Sequence, residues 1–292
     1  AGALSLALAG PANAGEAPFI GWSAQLPALV SEYDPASEDD CISGRTKCVD
    51  KVIRQMTKHF NRLGSSCDHD AIFQLSYPGT TEEYRRTIDD PNFFEDTAFV
   101  NHEDAVFARF YFEPYEAWHE GRRGEVPPAW RIALSAADDR AVSGTGNLFL
   151  GINAHIQRDL AFVLYGIGLV GPDGSTRKAD HDKVNQFLNR VQAPLIAELA
   201  DRFDPTIDDS SQPGPYDDLL TFQAVVGWRE AAWRNAERLA NADSKSERDA
   251  VAQSIEDYAV SQALAMRLAT RYGPLGAGSA PRDAYCAANN GF

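Results

Sequence analysis

The chain has 292 residues, of which 44% are hydrophobic and 24% charged, and a net charge of −15. That is enough for one large or two small domains with a packed interior, at the composition of an ordinary soluble globular protein. The charge argues against nucleic acid, whose phosphates would be repelled, and against adsorption to anionic membranes. No run approaches the roughly 20 apolar residues of a membrane helix.

Residues 1–14 carry no charge and end in Ala12-Asn13-Ala14, a small-x-small pattern of the kind that signal peptidases cut. They are expected to be the remnant of a signal peptide, with cleavage after Ala14 and export of the rest. The four cysteines fit an oxidising compartment. Four allow three pairings, and spacing alone does not choose securely among them. Cys41 with Cys48 is favoured because the loop between them is short and cheap to close. That would leave Cys67 with Cys286. No Cys-x-x-Cys is present, so a thiolate zinc site is not expected.

The first predicted helix runs over 50–63 and ends at Gly64, a C′ glycine. Asp96 is expected to cap a long helix that reaches about Glu120 and stops at Gly121, with a kink at Pro114. Pro127-Pro128 opens a short helix around 130–137. After the turn Ser143-Gly144-Thr145-Gly146 comes a helix over 148–165 that is apolar on most of its circumference, which marks it as buried. Gly166, Gly168, Gly171 and Gly174 break the chain. Asp180 or Asp182 then caps a helix to about Phe203, with Val184, Phe187, Leu188, Val191, Leu195 and Leu199 facing inward. A loop over 204–215 precedes a helix from Asp217 to about Asn241. Ser244-x-x-Glu247 is a capping box that opens the last long helix, which ends before Gly273-Pro274. Residues 273–292 are rich in Gly, Ala and Pro and are expected to be an irregular tail. The pattern contains no alternating strand, repeat or linker. It predicts an all-α fold, a single-domain irregular helical bundle over 15–272 around the buried central helix.

Within that helix His155 and Asp159 lie one turn apart and project from one stripe, with Leu148, Ile152 and Phe162 above and below. An ionisable pair in such a place needs a partner: a metal, an arginine or a substrate. His-x-x-x-Asp suits a divalent metal such as zinc, given a third ligand from another helix, and equally suits a hydrogen bond that ties helices together. Gly151, one turn earlier, leaves room for close approach. Arg229 sits mid-stripe among Phe222, Val225, Val226, Ala232, Trp233 and Ala236, so it should pair with a carboxylate, Asp159 or Asp104, or hold an anion. Asp104 shares a face with Phe107, Ala108, Tyr111, Tyr115 and Trp118 and is the expected third ligand. His102, Glu103 and Glu230 read as surface residues. Glu116-x-x-His119 lacks the second copy that a di-iron bundle needs. Asp180-His181-Asp182 reads as a helix cap and Asp208-Asp209 as a solvated loop. No nucleophile elbow, P-loop or dinucleotide fingerprint occurs.

Gly151-Ile152-Asn153-Ala154-His155-Ile156 with Asp159-Leu160 resembles the Gly-Met/Ile-Asn-Ala-His-Ile-x-x-Asp-Leu core of a bacterial family, common in actinobacteria, of unknown function. Arg229-Glu230-Ala231-Ala232-Trp233, Asp104-x-x-Phe107-Ala108-x-x-Tyr111 and Asp182-x-Val184-Asn185 are similar to further parts of it, from about residue 90 to about 240. The resemblance implies a helical fold and a shared polar set of Asn153, His155, Asp159, Arg229 and Asp104, and brings no activity. The His-x-x-x-Asp helix is also distantly similar to the metal-binding helices of zinc-dependent phospholipase C and S1/P1 nucleases, which need more histidines than this chain has.

These residues support two expectations. One is a secreted or envelope-associated hydrolase of a small or lipid-like ester or phosphoester. Its catalytic residues would be His155, Asp159 and Arg229, its substrate-binding residues Asn153, Tyr111 and Trp233. One divalent metal would be held by His155, Asp159 and Asp104. The other is a non-catalytic binding or envelope-associated protein, whose buried His-Asp-Arg network is structural. A small-molecule or lipid-like ligand is expected as partner, and nucleic acid is not.

Overall fold

The computed structural model describes residues 33–207, 216–273 and 276–292, and among these every named element is helical. The expected leader over 1–14 and the Asp208-Asp209 loop lie outside the described residues. The helices are α1 (Thr46–Ser65), α2 (Ala71–Thr87), α3 (Thr97–His119), α4 (Pro128–Asp138), α5 (Gly144–Ile152), α6 (Leu160–Ile167), α7 (Lys178–Arg202), α8 (Tyr216–Ala240), α9 (Lys245–Thr270) and α10 (Ala280–Asn289). Extended pairing is limited to two isolated bridges, Val142 with Arg271 and Val170 with Thr176.

The caps follow the expected chemistry at three helix starts. The Asp96 carboxylate accepts from the Phe99 amide at 3.0 Å, Ser143 from Gly146 at 3.3 Å and Ser244 from Glu247 at 3.1 Å. Asp180 does a different job. It lies in the first turn of α7, yet its two oxygens accept from the amides of Glu95 and Asp96 at 2.8 and 2.9 Å, fixing the entry to α3. Gly64 is not a C′ residue. The helix runs past it, and Cys67 takes the left-handed conformation (φ 54°). Gly64 is small for another reason, since a Cβ there would come within 2.4 Å of the Phe292 ring.

Two elements depart from the expected order. The sequence reading places no helix between Gly64 and Asp96, but α2 lies there and runs through Pro78-Gly79. Packing overrides propensity there, for Ile72, Phe73, Leu75, Tyr77 and Tyr84 are all buried. The C-terminal tail is not wholly irregular either. Pro281 lies at the start of α10, where its missing N–H costs nothing, and Cys286 ties the helix to Cys67. The second disulfide joins Cys41 to Cys48, so both favoured pairings form.

The central helix is buried as expected but is not a uniform α-helix. Between α5 and α6 the chain widens into a π-helix over Asn153–Asp159. Segments α3, α4, α8 and α9 all pack on this stretch. Leu160, Ala161, Phe162, Val163 and Leu164 continue it into one apolar cluster with Trp233 and Ile255. A second cluster gathers Phe73, Tyr111, Trp130 and Leu148, and a third Tyr84, Phe94, Val100 and Phe187. Each large side chain so buried contributes about 1.5–3 kcal/mol.

Candidate functional site

Residues from all three apolar clusters wall a cavity of about 540 Å3, within the usual range for small-molecule sites. α2 contributes Phe73, Tyr77 and Thr80, α3 Val100 and Phe107, α7 Val184, Leu188 and Val191, α8 Phe222 and Val225. The central helix closes one side with Leu148, Ile152, His155 and Ile156. Against this apolar lining stand a few ionisable groups: Glu103, Asp104, His155 and Arg229.

His155 is 3% exposed and both its ring nitrogens are engaged. Nδ1 lies 3.1 Å from Asp159 Oδ2 and Nε2 lies 2.8 Å from the Tyr77 hydroxyl. The ring stacks on Phe107 at 3.6 Å between centroids, with 12° between planes. Asp159 is fully buried. Its Oδ2 also accepts from Trp130 Nε1 at 2.8 Å, and its Oδ1 pairs with Arg158. Arg158 Nε in turn donates to Glu256 on α9 at 2.7 Å. A carboxylate only accepts, so the imidazole presents Nδ1–H to Asp159 and its Nε2 accepts from the tyrosine O–H. Burial lowers the imidazole pKa and outweighs the opposing hydrogen bond and charge of Asp159. Burial and the charges of Asp104 and Asp159 raise the Tyr77 pKa well above its ordinary value.

The chain Tyr77–His155–Asp159–Arg158–Glu256 thus ties α2, the π-helix and α9 together. Consecutive polar residues of the π-helix reach different neighbours. Asn153 Nδ2 donates to the Ala259 carbonyl on α9 at 2.9 Å and its Oδ1 accepts from Gln157 at 2.8 Å. A π-turn is widened relative to an α-turn and is frequent at functional sites.

The metal centre expected from His155, Asp159 and Asp104 does not fit these residues. The donor atoms of His155 and Asp159 are committed to protein partners, and among the described residues no group of three or more His, Cys, Asp or Glu side chains converges to hold an ion. Arg229 does not pair with Asp159 or Asp104. Its Nε donates to Asn185 Oδ1 at 2.9 Å and an Nη to the His181 carbonyl at 2.9 Å. Burial takes its pKa down to about 10 against the charge of Glu103. The arginine that neutralises Asp159 is its neighbour Arg158, which a helical wheel hides because it leaves the stripe.

The expected binding residues Tyr111, Trp233 and Asn153 lie away from the cavity, and the readings of three other residues, His102, Glu103 and His181, are corrected. Tyr111 packs among Phe73, Tyr77 and Trp130. Trp233 is buried with its Nε1–H donating to Glu237 Oε1 at 2.8 Å, and Asn153 is fully buried and bonded as above. None of the three lines the cavity. His102 is not a surface residue, since it is buried with Nδ1 2.8 Å from the Cys41 carbonyl oxygen. Glu103 lines the cavity beside Asp104. His181 is buried against Arg229 instead of capping a helix. Gly151 behaves as expected: the Phe73 ring lies where its Cβ would be, at 2.4 Å.

Asp104 and Glu103 have no ion-pair partner within 4.0 Å among the described residues, and Asp104 Oδ2 is buried without a hydrogen bond. Burial, helped by Glu103, pushes Asp104 up to about 7, and burial pushes Glu103 up to about 7 against the pull of Arg229.

Fold and site together define an all-α protein with a large apolar cavity and a buried polar network behind one wall. The chain belongs to a family of unknown function, DUF5995, whose model matches residues 49–269. The match is wider than the motifs suggested and leaves Cys41, Cys48 and the C-terminal helix with Cys286 outside it. No curated protein and no solved structure matches the chain.

Proposed function

We propose that this protein binds an elongated apolar small molecule in the cavity among α2, α3, α5, α7 and α8, and that the His155–Asp159–Arg158 network is the scaffold of one wall. The observation that carries the reading is the cavity itself: about 540 Å3 of largely apolar lining with a few ionisable groups gathered on it. Close-packed interiors do not leave such a space by accident of packing. The network fits a structural part because its donors and acceptors satisfy one another.

Uptake of a solvatochromic apolar dye, with displacement by alkanols, tests the reading. Val225→Trp at the cavity wall should abolish uptake while leaving the helical circular dichroism intact. Dye bound equally by wild type and variant would overturn it.

A second reading keeps the hydrolase expectation without a metal. It is favoured by one observation, that Tyr77 and His155 both line the cavity while His155 bonds to Asp159, an acid–base chain reaching the apolar space. Ester hydrolysis lost in Tyr77→Phe, with dye uptake retained, would support it.

We also infer that the protein works outside the cytoplasm, secreted or in the envelope. Its two disulfides and four oxidised cysteines support this, and among the described residues no helix is long and apolar enough to cross a membrane.

A further inference from the structure

The charged groups that line the cavity are two acids against one cation among the described residues. Asp159 already holds the imidazole proton on Nδ1, so Nε2 consumes the Tyr77 O–H and leaves only oxygen lone pairs on that side. On α3, Glu103 and Asp104 line the same space without an ion-pair partner among the described residues, and Asp104 Oδ2 lacks any hydrogen bond. Arg229 is the cation among the described lining residues, and its Nε and one Nη already donate to Asn185 and the His181 carbonyl.

We propose that the ligand is an elongated amine, whose hydrocarbon occupies the apolar chamber and whose ammonium comes to rest against Asp104, with Glu103 and the Tyr77 oxygen beside it. This rests on the cavity being a binding site and specifies what it takes. The ammonium has three donors and no acceptor of its own, which suits the oxygens of Asp104, Glu103 and Tyr77, and the two acids outnumber Arg229, the like charge among the described lining residues. A carboxylate in the same place would face two acids for one committed arginine. A neutral alcohol would satisfy one acceptor and leave the others bare. The upward push on both acids has the same origin, a charge without a counter-charge in an apolar place, and an ammonium removes it. Amine uptake near pH 7 therefore displaces protons from these carboxyls.

The test is displacement of the apolar dye from the full chain, disulfides intact, by dodecylamine, dodecanol and dodecanoate below their aggregation limits, at pH 7. The amine should bind about tenfold tighter than the alcohol, and the dodecanoate weakest. Calorimetry in two buffers of different ionisation enthalpy should show protons released on amine binding and none with the alcohol. Asp104→Asn should cut the amine-to-alcohol ratio to about threefold or less, and Glu103→Gln should reduce it by a smaller factor. An alcohol that binds as tightly as the amine, or amine binding without proton release, overturns this proposal and leaves the cavity reading standing. Failure of all three probes to displace the dye overturns the cavity reading itself.

Discussion

Replacing Asp104 by asparagine should stabilise the ligand-free protein, and only where the carboxyl would otherwise be charged. Asp104 lines the cavity with its Oδ2 buried and unpartnered, and burial raises its pKa to about 7 from an ordinary 3.8. The groups around it are Glu103 on its own helix, Tyr77 on α2, with His155 and Arg229 on the same cavity wall. At about 1.4 kcal/mol per unit, a rise of roughly three units sets a ceiling of about 4 kcal/mol on the cost of ionising it in the folded state. Residual exposure and water in the cavity screen that charge, so about 2 kcal/mol is the expected effect. The sign follows from proton uptake. Between about 4 and 7 the folded chain holds a proton that the unfolded chain has lost, so stability falls as pH rises through that window and stays lowered above it. The amide never ionises. Equilibrium unfolding in urea should therefore find Asp104→Asn about 2 kcal/mol more stable than wild type at pH 8 and within about 0.5 kcal/mol of it at pH 4. A difference that is the same at both pH values would show that the carboxyl is not held in an uncompensated, apolar place.

Three perturbations probe the scaffold behind that wall. Asp159→Asn removes the carboxylate that Arg158, His155 and Trp130 share, and should cost about 3–5 kcal/mol in urea unfolding, as breaking buried ion pairs does; a loss under 1 kcal/mol would mean that the network carries little. His155 should titrate below its ordinary 6.5 and be a neutral Nδ1–H imidazole at pH 7, because burial lowers its pKa. Ring 15N shifts would read this directly, and a midpoint at or above the ordinary 6.5 would contradict it. Loss of Cys67–Cys286, which closes a loop of 219 residues, should cost about 5 kcal/mol on chain entropy. Loss of Cys41–Cys48, closing 7, should cost about 2; equal losses would refute the loop-length argument.

The long helices were readable because their burial follows one period and their ends carry recognisable caps, as at Asp96 and Ser244. Helix α2 was not readable because Pro78-Gly79 mimics a turn, and only tertiary burial of its flanks holds the helix through them. The site was half visible for a related reason. A helical wheel picks out His155, Asp159 and Asp104, each a polar group in an apolar run. It could not see that the helix widens at Asn153–Asp159, which brings Arg158 and not Arg229 to Asp159. Tyr77 was missed with its helix. Glu103 reads as a surface residue because it stands in the polar run Asn101-His102-Glu103-Asp104, and only the tertiary structure turns it to the cavity.

Burial of Arg158, Asp159 and Glu256 is costly, with several kcal/mol of desolvation per ion, and well-packed apolar residues would serve stability as well. What apolar residues would not do is fix a proton. With Asp159 held between Arg158 and the imidazole Nδ1–H, Nε2 is left as the acceptor of the Tyr77 hydroxyl hydrogen. The ion pairs thus determine, two hydrogen bonds away, that the cavity meets an oxygen lone pair and not an O–H. In a leucine-filled interior Tyr77 would be free to turn its hydrogen toward a ligand, and the wall would no longer distinguish a donor from an acceptor. The buried charges are therefore best understood by what they impose on the cavity surface, where the proposed reading puts the selection between ligand head groups.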